Sequence, residues 1–255
     1  MSGAYTDLAP IYDAVGLADF AAAMTPRLVD FAQRHDWLGR RIVDLGCGTG
    51  AGLRWLAQHN YVAAGVDSAP EMLAQARAAL AAGGSDGRSL NADLHQRDIR
   101  ELGPDLAGTD LALALDVLNE LNGLRDLEAV FQGVSAILNP GKLFIFDLHT
   151  AQGLAEMGLA GAALQEMPDL TVFTTSDYDY ERQINERRYL VFQRAGAAWS
   201  RLEATRALRA FPAQAVATLL QRCGFQASYV LDLNFNGFEP GVSRAARVVF
   251  VAEKR

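Results

Sequence analysis

The stretch IVDLGCGTG, residues 42–50, brings three glycines at alternate positions directly after an apolar run. Asp44 stands two places before the first of them, Gly46. Because glycine has no side chain, its backbone turns tightly and lets a ligand approach closely. A helix-forming segment follows at once, so the stretch predicts a strand, a ligand-holding loop and a helix in succession.

Apolar runs and amphipathic helices alternate on the carboxyl side of this loop. Strands this apolar are typical of a parallel sheet with helices on both faces, and the alternation implies a doubly wound topology. We therefore predict an α/β fold with a seven-stranded, mostly parallel sheet whose last strand is antiparallel. The predicted strands are 40–45, 61–67, 89–99, 109–118, 143–149, 225–233 and 245–254, and the predicted helices are 16–24, 50–60, 69–80, 124–138 and 212–224.

The alternation stops after residue 165. Three runs of mixed polarity follow one another at residues 170–181, 187–195 and 199–211 without an intervening helix. Such runs are typical of short antiparallel strands. We predict one domain from residues 1–164 and 211–255, with residues 165–210 inserted after strand five as a β lid over the ligand edge of the sheet.

Composition excludes several classes of function. The net charge of −7 argues against a broad nucleic-acid surface, which needs clustered Lys and Arg. No uninterrupted apolar stretch of membrane-spanning length occurs and the N-terminus does not resemble a signal peptide, so we expect a cytoplasmic protein without membrane contact. The histidines and the two cysteines show no metal-ligand spacing, so no metal site is expected.

Three interpretations of the glycine loop remain open on the residues: a nucleoside-sulfonium site, a dinucleotide site, and a turn without ligand. Gly46, Gly48 and Ala51 satisfy the dinucleotide pattern, which alone is weak. Asp67 lies 21 residues after Gly46, the separation expected of a carboxylate that binds a ribose diol. Asp98, after the third strand, is suited to accept a hydrogen bond from an exocyclic amine, although it could instead cap a short helix.

The motifs in their order resemble the S-adenosylmethionine-dependent methyltransferases with a Rossmann-like sheet. The matching motifs are IVDLGCGTG, AAGVDSAPEML, RDIREL, ALDVLNEL, LNPGKLFIFDLHT and LLQRCGF, and the resemblance runs from YTDLAPIYD to the last strand. It is greatest to small-molecule methyltransferases with a β lid, a group that includes sugar-amine N-methyltransferases and enzymes like glycine N-methyltransferase. Lys142 and His149 depart from the residues usual in the family.

The resemblance implies S-adenosylmethionine as cofactor, with S-adenosylhomocysteine as product. It assigns the glycine loop to the methionine end, Asp67 to the ribose and Asp98 to the adenine edge, and folds Tyr12 back from the N-terminus. Asp67 has an alternative interpretation as a helix cap, and Cys47 as a small packed residue. The expected cofactor-binding residues are Tyr12, Gly46, Cys47, Gly48, Asp67, Ser68, Met72, Asp98, Ile99, Asp116, Val117 and Leu118.

The expected reaction is in-line methyl transfer to a nitrogen or oxygen of a small molecule. His149, at the end of strand five, and Glu120 are candidate general bases. Asn119 either faces the substrate or caps a turn, and Tyr178 and Tyr180 either face the substrate or form the core of the lid. An NAD-dependent oxidoreductase and a non-catalytic cofactor-binding protein remain the alternative functions.

Overall fold

The computed structural model describes residues 3–84 and 89–255. Eleven strands lie within them. Their bounds are β1 Arg41–Leu45, β2 Val62–Asp67, β3 Asp93–Gln96, β4 Thr109–Ala114, β5 Leu138–His149, β6 Ala163–Met167, β7 Leu170–Asp179, β8 Ile184–Ala195, β9 Ala198–Arg209, β10 Phe225–Asp232 and β11 Arg247–Lys254.

Seven of these strands form one sheet in the order β10–β11–β5–β4–β1–β2–β3. The pairs β1–β2, β1–β4, β2–β3 and β4–β5 are parallel, whereas β11 is antiparallel to both β5 and β10. This confirms the predicted doubly wound, seven-stranded, mostly parallel sheet with its last strand antiparallel. The order reverses beside β1, so the carboxyl ends of β1 and β4 frame the crevice in which open α/β sheets bind ligands.

Seven α-helices connect or flank the strands of the described residues. They are α1 Gly3–Leu8, α2 Asp19–Arg34, α3 Ala51–Gln58, α4 Pro70–Ala81, α5 Leu124–Ile137, α6 Ala151–Leu159 and α7 Ala213–Arg222. Pro70 begins α4, where its missing N–H removes no helical hydrogen bond. No helix of residues 3–84 and 89–255 is long and apolar enough to cross a membrane.

Successive side chains of β5 enter two different cores, one on each face of the sheet. Phe144 and Phe146 pack with Phe131 of α5, while Ile145 packs against the opposite layer with Leu53 of α3. All five side chains are fully buried. Complete burial of a large apolar side chain stabilises the fold by about 1.5–3 kcal/mol, so these two layers fix the sheet that positions the ligand edge.

The inserted sheet has four antiparallel strands in the order β6–β7–β8–β9, one more than the sequence predicts. The additional strand, β6, is mostly exposed, so its residues carry no alternating apolar pattern. Helix α6, which precedes it, was also not predicted. It packs through Leu154 and Met157 on Tyr178 of β7.

Several predicted boundaries differ from those of the structure. The third strand is confined to Asp93–Gln96, and β4 ends at Ala114 because the chain turns at Asp116, whose φ is +57°. Strand β5 begins at Leu138, immediately after α5, and its pairing with β4 shifts register between Thr109 and Leu111. The first predicted helix is also longer, since α2 continues to Arg34.

Candidate functional site

A cleft open to solvent lies at the carboxyl ends of β1, β2 and β4. Its lining includes every residue predicted to bind cofactor except Leu118: Tyr12, Gly46, Cys47, Gly48, Asp67, Ser68, Met72, Asp98, Ile99, Asp116 and Val117. Leu118 is fully buried in the core beneath the cleft. The charged side chains in the lining, Asp67, Asp98, Asp116 and Glu120, are all carboxylates, and all but Asp67 are paired with an arginine.

The glycine loop forms the floor of the cleft. Gly46, Gly48 and Gly50 have φ values of +70°, +54° and +81°, which favour glycine over any residue with a side chain. A Cβ at Gly46 would lie 2.5 Å from Val117, whereas a Cβ at Gly48 would meet no atom within 4 Å. The backbone at Gly48 is therefore open for close approach of a ligand.

Asp67 is the last residue of β2 and fixes the loop through two backbone hydrogen bonds. Its Oδ2 accepts the Gly48 N–H at 2.9 Å, and its Oδ1 accepts the Ala69 N–H at 2.9 Å. Burial raises the pKa of Asp67, and these hydrogen bonds partly offset the rise. Each carboxylate oxygen has a further lone pair, so Asp67 can hold the loop and accept from a ligand hydroxyl.

The opposite end of the cleft is apolar except for Asp98. Met72 and Ile99 form its buried walls. Asp98 accepts hydrogen bonds on Oδ1 from the N–H and Nε of Arg100 at 2.9 Å each, and on Oδ2 from Nη2 at 2.7 Å. The hydrogen bond from the Arg100 side chain lowers the pKa of Asp98 and keeps the carboxylate ionised as an acceptor.

Asp44 lies beneath the loop at the end of β1. It is fully buried and no cation pairs with it in the part of the chain that the structure describes. Burial, reinforced by the charge of Asp67, raises the pKa of Asp44 to about 7. A Cβ at Gly52 would lie 2.8 Å from the Thr25 hydroxyl and 3.0 Å from the Asp44 carboxylate, so the first turn of α3 has room only for a glycine there.

Asp116, beyond β4, is held by two arginines from distant parts of the chain. Arg206 of β9 donates to Asp116 Oδ2 at 3.1 Å, and Arg247 of β11 pairs with Oδ1. Burial raises the pKa of Asp116, but the charges of Arg206 and Arg247 outweigh that effect and lower the pKa well below its ordinary range. The Asp116 N–H also donates to Asp147 at 2.8 Å.

Arg206 also binds Glu120. Its Nε donates to Glu120 Oε1 at 2.8 Å, and Tyr5 donates its hydroxyl to the same oxygen. The second oxygen, Oε2, accepts no hydrogen bond from the residues that the structure describes, and Glu120 lines the cleft. Glu120 therefore presents one oriented carboxylate oxygen to a ligand.

The N-terminal segment closes the cleft from above. Tyr5 and Tyr12 both line it, with ring centroids 6.3 Å apart. The Thr49 hydroxyl donates to Asp13 at 2.6 Å and so ties this segment to the glycine loop. The structure thus brings Tyr12 to the position that the resemblance assigns to it.

Asn119 and His149, two of the remaining predicted residues, lie outside the cleft. Asn119 is buried: its Nδ2 donates to the carbonyls of His149 at 3.1 Å and Arg209 at 2.8 Å, and its Oδ1 accepts the His149 N–H at 2.8 Å. These bonds use the side chain to join β5 to β9. His149 Nε2 lies 2.7 Å from an Arg247 Nη, which occupies the nitrogen that a general base needs.

The two predicted substrate tyrosines lie at the far end of the lid. Tyr178 and Tyr180 contact each other edge to face with centroids 4.9 Å apart. Tyr178 is half-buried against α6, and Tyr180 is 66% exposed. Neither lines the cleft.

The sequence did not predict three charged residues around Asp116: Arg206, Arg247 and Asp147. Arg206 lies 90 residues from Asp116 in the sequence, and Arg247 lies 131 residues from it, so no local sequence pattern joins them. The one signal was indirect: a predicted antiparallel last strand places its first residues opposite the end of strand five, where Arg247 pairs with His149.

Comparisons with known proteins agree with this geometry. Residues 42–141 match the family described as a methyltransferase domain. The Bacillus subtilis protein YqeM, named a methyltransferase, is 29% identical over 217 residues, which cover 84% of each chain.

Two solved structures share the fold. An S-adenosylmethionine-dependent methyltransferase from Clostridium acetobutylicum superposes with a TM-score of 0.80 at 21% identity and covers 98% of both chains. The amino pentose methyltransferase CalS10 from Micromonospora echinaspora, solved with S-adenosylmethionine bound, has a TM-score of 0.73 at 21% identity and covers 96% of this chain and 97% of its own.

Proposed function

We propose that this chain is an S-adenosylmethionine-dependent methyltransferase that transfers the methyl group to a nitrogen or oxygen of a small molecule; the methyltransferase-domain match and the shared Rossmann-like fold support it. The observation that carries the proposal is the convergence of the glycine loop, Asp67 and Asp98 on one cleft. CalS10 is described as an amino pentose methyltransferase, which supports a small acceptor.

The residues of the cleft fit this cofactor. The open backbone at Gly48 suits the amino-acid end, Asp67 suits a ribose diol, and Asp98 between apolar walls suits an adenine amine. Asp67, the one carboxylate of the lining without an arginine partner among the described residues, adds negative charge that favours a cationic ligand. Tyr5 and Tyr12 add aromatic faces, which attract cations through the ring quadrupole.

S-adenosylmethionine supplies a methyl carbon already activated by its positive sulfur. The protein then has to align the acceptor in line with the carbon–sulfur bond and exclude water. The acceptor lone pair forms the new bond while the carbon–sulfur electrons return to sulfur. Tyr12 and the N-terminal segment close the cleft over this region.

We propose Glu120 as the general base for an acceptor that arrives protonated. Its Oε1 is fixed by Arg206 and Tyr5, which leaves Oε2 to take the proton. His149 is the weaker candidate, because its Nε2 faces Arg247 outside the cleft. We further propose that the inserted strands, residues 165–210, act as a lid over the acceptor.

A pair of glycine substitutions tests the cofactor site. Gly48 and Gly108 both have positive φ and no atom within 4 Å of an added Cβ, so Gly48→Ala and Gly108→Ala carry similar backbone strain of about 1 kcal/mol. Only Gly48 faces the cleft. We expect Gly48→Ala to weaken S-adenosylhomocysteine binding at least about tenfold, and Gly108→Ala to leave it unchanged. Equal affinities in the two variants would place the ligand elsewhere.

A further inference from the structure

The inner face of the lid carries two arginines directly opposite each other. Arg187 of β8 pairs in register with Arg206 of β9 on one side and with Ser176 of β7 on the other. Residues opposite each other on one face have Cβ atoms about 5 Å apart, and like charges there repel. Negative charge close to such a row relieves the repulsion.

One of the two arginines is neutralised by the protein. Arg206 is almost fully buried and bonds to Asp116 and Glu120. Arg187 is only partly buried, and within residues 3–84 and 89–255 no carboxylate pairs with it. Its guanidinium lies 5.5 Å from the ring centroid of Tyr189, and its Nε is buried without a hydrogen-bond partner.

A second donor beside Arg187 also lacks an acceptor. Tyr189 is 2% exposed, and Arg206 lies beside its hydroxyl oxygen as a donor, but no acceptor among the described residues takes the hydroxyl hydrogen. A buried O–H and a buried Nε–H that both lack acceptors are costly, since each has given up its hydrogen bond to water. Two such donors on one surface indicate a missing acceptor.

The position of this row connects it to the reacting region. The N-terminal segment packs on the neighbouring row through Tyr189 and Val191, while α6 packs on the other neighbouring row near Tyr178 and Asn185. The row of Ser176, Arg187 and Arg206 lies between these two segments. Arg206 reaches from it to the two carboxylates, Asp116 and Glu120, that line the cleft.

We propose that Arg187 and Tyr189 form an anion subsite for the methyl acceptor, which is therefore a small molecule with a carboxylate or phosphate separate from its nucleophilic atom. A guanidinium binds either oxyanion through charge-assisted hydrogen bonds, and the Tyr189 hydroxyl adds a donor. The nucleophilic atom is then directed past Arg206 toward Glu120. This inference rests on the proposed methyltransferase function.

Anion binding to the full-length protein saturated with S-adenosylhomocysteine tests the subsite. Malonate and inorganic phosphate are titrated separately by calorimetry at matched ionic strength, so that the two arms distinguish carboxylate from phosphate. We expect saturable binding of at least one anion. Arg187→Gln should weaken that binding about tenfold or more, because it removes the charge.

The chain offers a matched control one residue away. Arg188 points to the outer face of the same strand, is 67% exposed and pairs with Glu186 at 3.2 Å. Arg188→Gln should change the anion affinity by less than about twofold, as expected of an exposed charge. Tyr189→Phe should weaken the anion several-fold while the melting temperature stays equal or rises, because a buried hydroxyl without an acceptor is removed.

The outcomes separate this subsite from the proposed function. Absence of saturable anion binding in the wild type, or equal losses in Arg187→Gln and Arg188→Gln, overturns the subsite. If Arg187→Gln does not fold, the anion affinity of Tyr189→Phe alone tests the subsite. An affinity equal to that of the wild type overturns it. If S-adenosylhomocysteine does not bind, the proposed function fails, and the same titrations of the unloaded protein still decide whether the anion site exists.

Discussion

Replacing Arg206 by alanine tests whether the lid and the sheet share one buried ion network. The Arg206 side chain is 4% exposed and lies 3.1 Å from Asp116 Oδ2 and 2.6 Å from Glu120 Oε1. Asp116 retains Arg247 when Arg206 is removed. Glu120, whose side chain is 12% exposed, is left with the Tyr5 hydroxyl alone, so the substitution leaves one largely enclosed carboxylate without a cation.

Removing one partner of a buried ion pair costs about 3–5 kcal/mol, because the other charge is left uncompensated. At about 2 °C per kcal/mol for a chain of this size, the melting temperature should fall by about 6–10 °C. Urea unfolding followed by circular dichroism measures the free energy directly. Pairing Arg206→Ala with Glu120→Gln in a double-mutant cycle should recover about 1–3 kcal/mol, since the stranded charge is then removed.

Arg201 provides the matched control on the same strand. It points outward, is 58% exposed and pairs with the exposed Glu203. Arg201→Ala should cost less than about 1 kcal/mol. If the two alanine substitutions destabilise the protein equally, or if the cycle shows no coupling with Glu120, the buried network does not hold the lid.

Three further predictions concern single side chains. Asp67→Ala should weaken S-adenosylhomocysteine binding by about 1–3 kcal/mol in calorimetry, and the exposed Asp93→Ala should not; unchanged affinity removes Asp67 from the site. Asp44→Asn should stabilise the protein by up to about 4 kcal/mol at pH 8, because burial raises the pKa of Asp44 to about 7. The free-energy cost of the buried charge is absent below about pH 4 and grows as the pH rises to 7. A stability difference between variant and wild type that does not vary with pH contradicts this. Asn119→Ala should destabilise the protein by about 2–4 kcal/mol, since its amide bonds three backbone groups, whereas the exposed Asn122→Ala should cost less than about 1 kcal/mol; comparable urea midpoints refute the bridging role.

The fold and the part of the cleft proposed for the cofactor were predictable because each rests on a local sequence pattern. The apolar strands, the glycines of residues 46–50 and the carboxylates Asp67, Asp98 and Asp116 all stand at or just beyond a strand end. Parallel strands bring such ends to one edge of the sheet, so sequence order alone gathers the residues. Leu118 was the exception, because the chain turns at Asp116 and directs it into the core.

The part of the cleft proposed for the acceptor, around Asp116 and Glu120, was not predictable because contacts between residues distant in sequence build it. Arg206 and Arg247 come from strands that the sequence does not place beside Asp116, and their charge gave no sign of burial. Asn119 was judged by its place after a strand and His149 by its place at a strand end, but tertiary hydrogen bonds occupy their polar atoms. Tyr178 packs against α6, a helix that the sequence did not predict, and so does not face the cleft.

Calorimetric titration of the purified protein with S-adenosylhomocysteine and, separately, with NAD tests whether the glycine loop holds a nucleoside sulfonium or a dinucleotide. We expect saturable binding of S-adenosylhomocysteine at one site per chain and no binding of NAD. Binding of NAD alone would contradict it, because the glycine loop would then hold a dinucleotide and the oxidoreductase alternative would take its place.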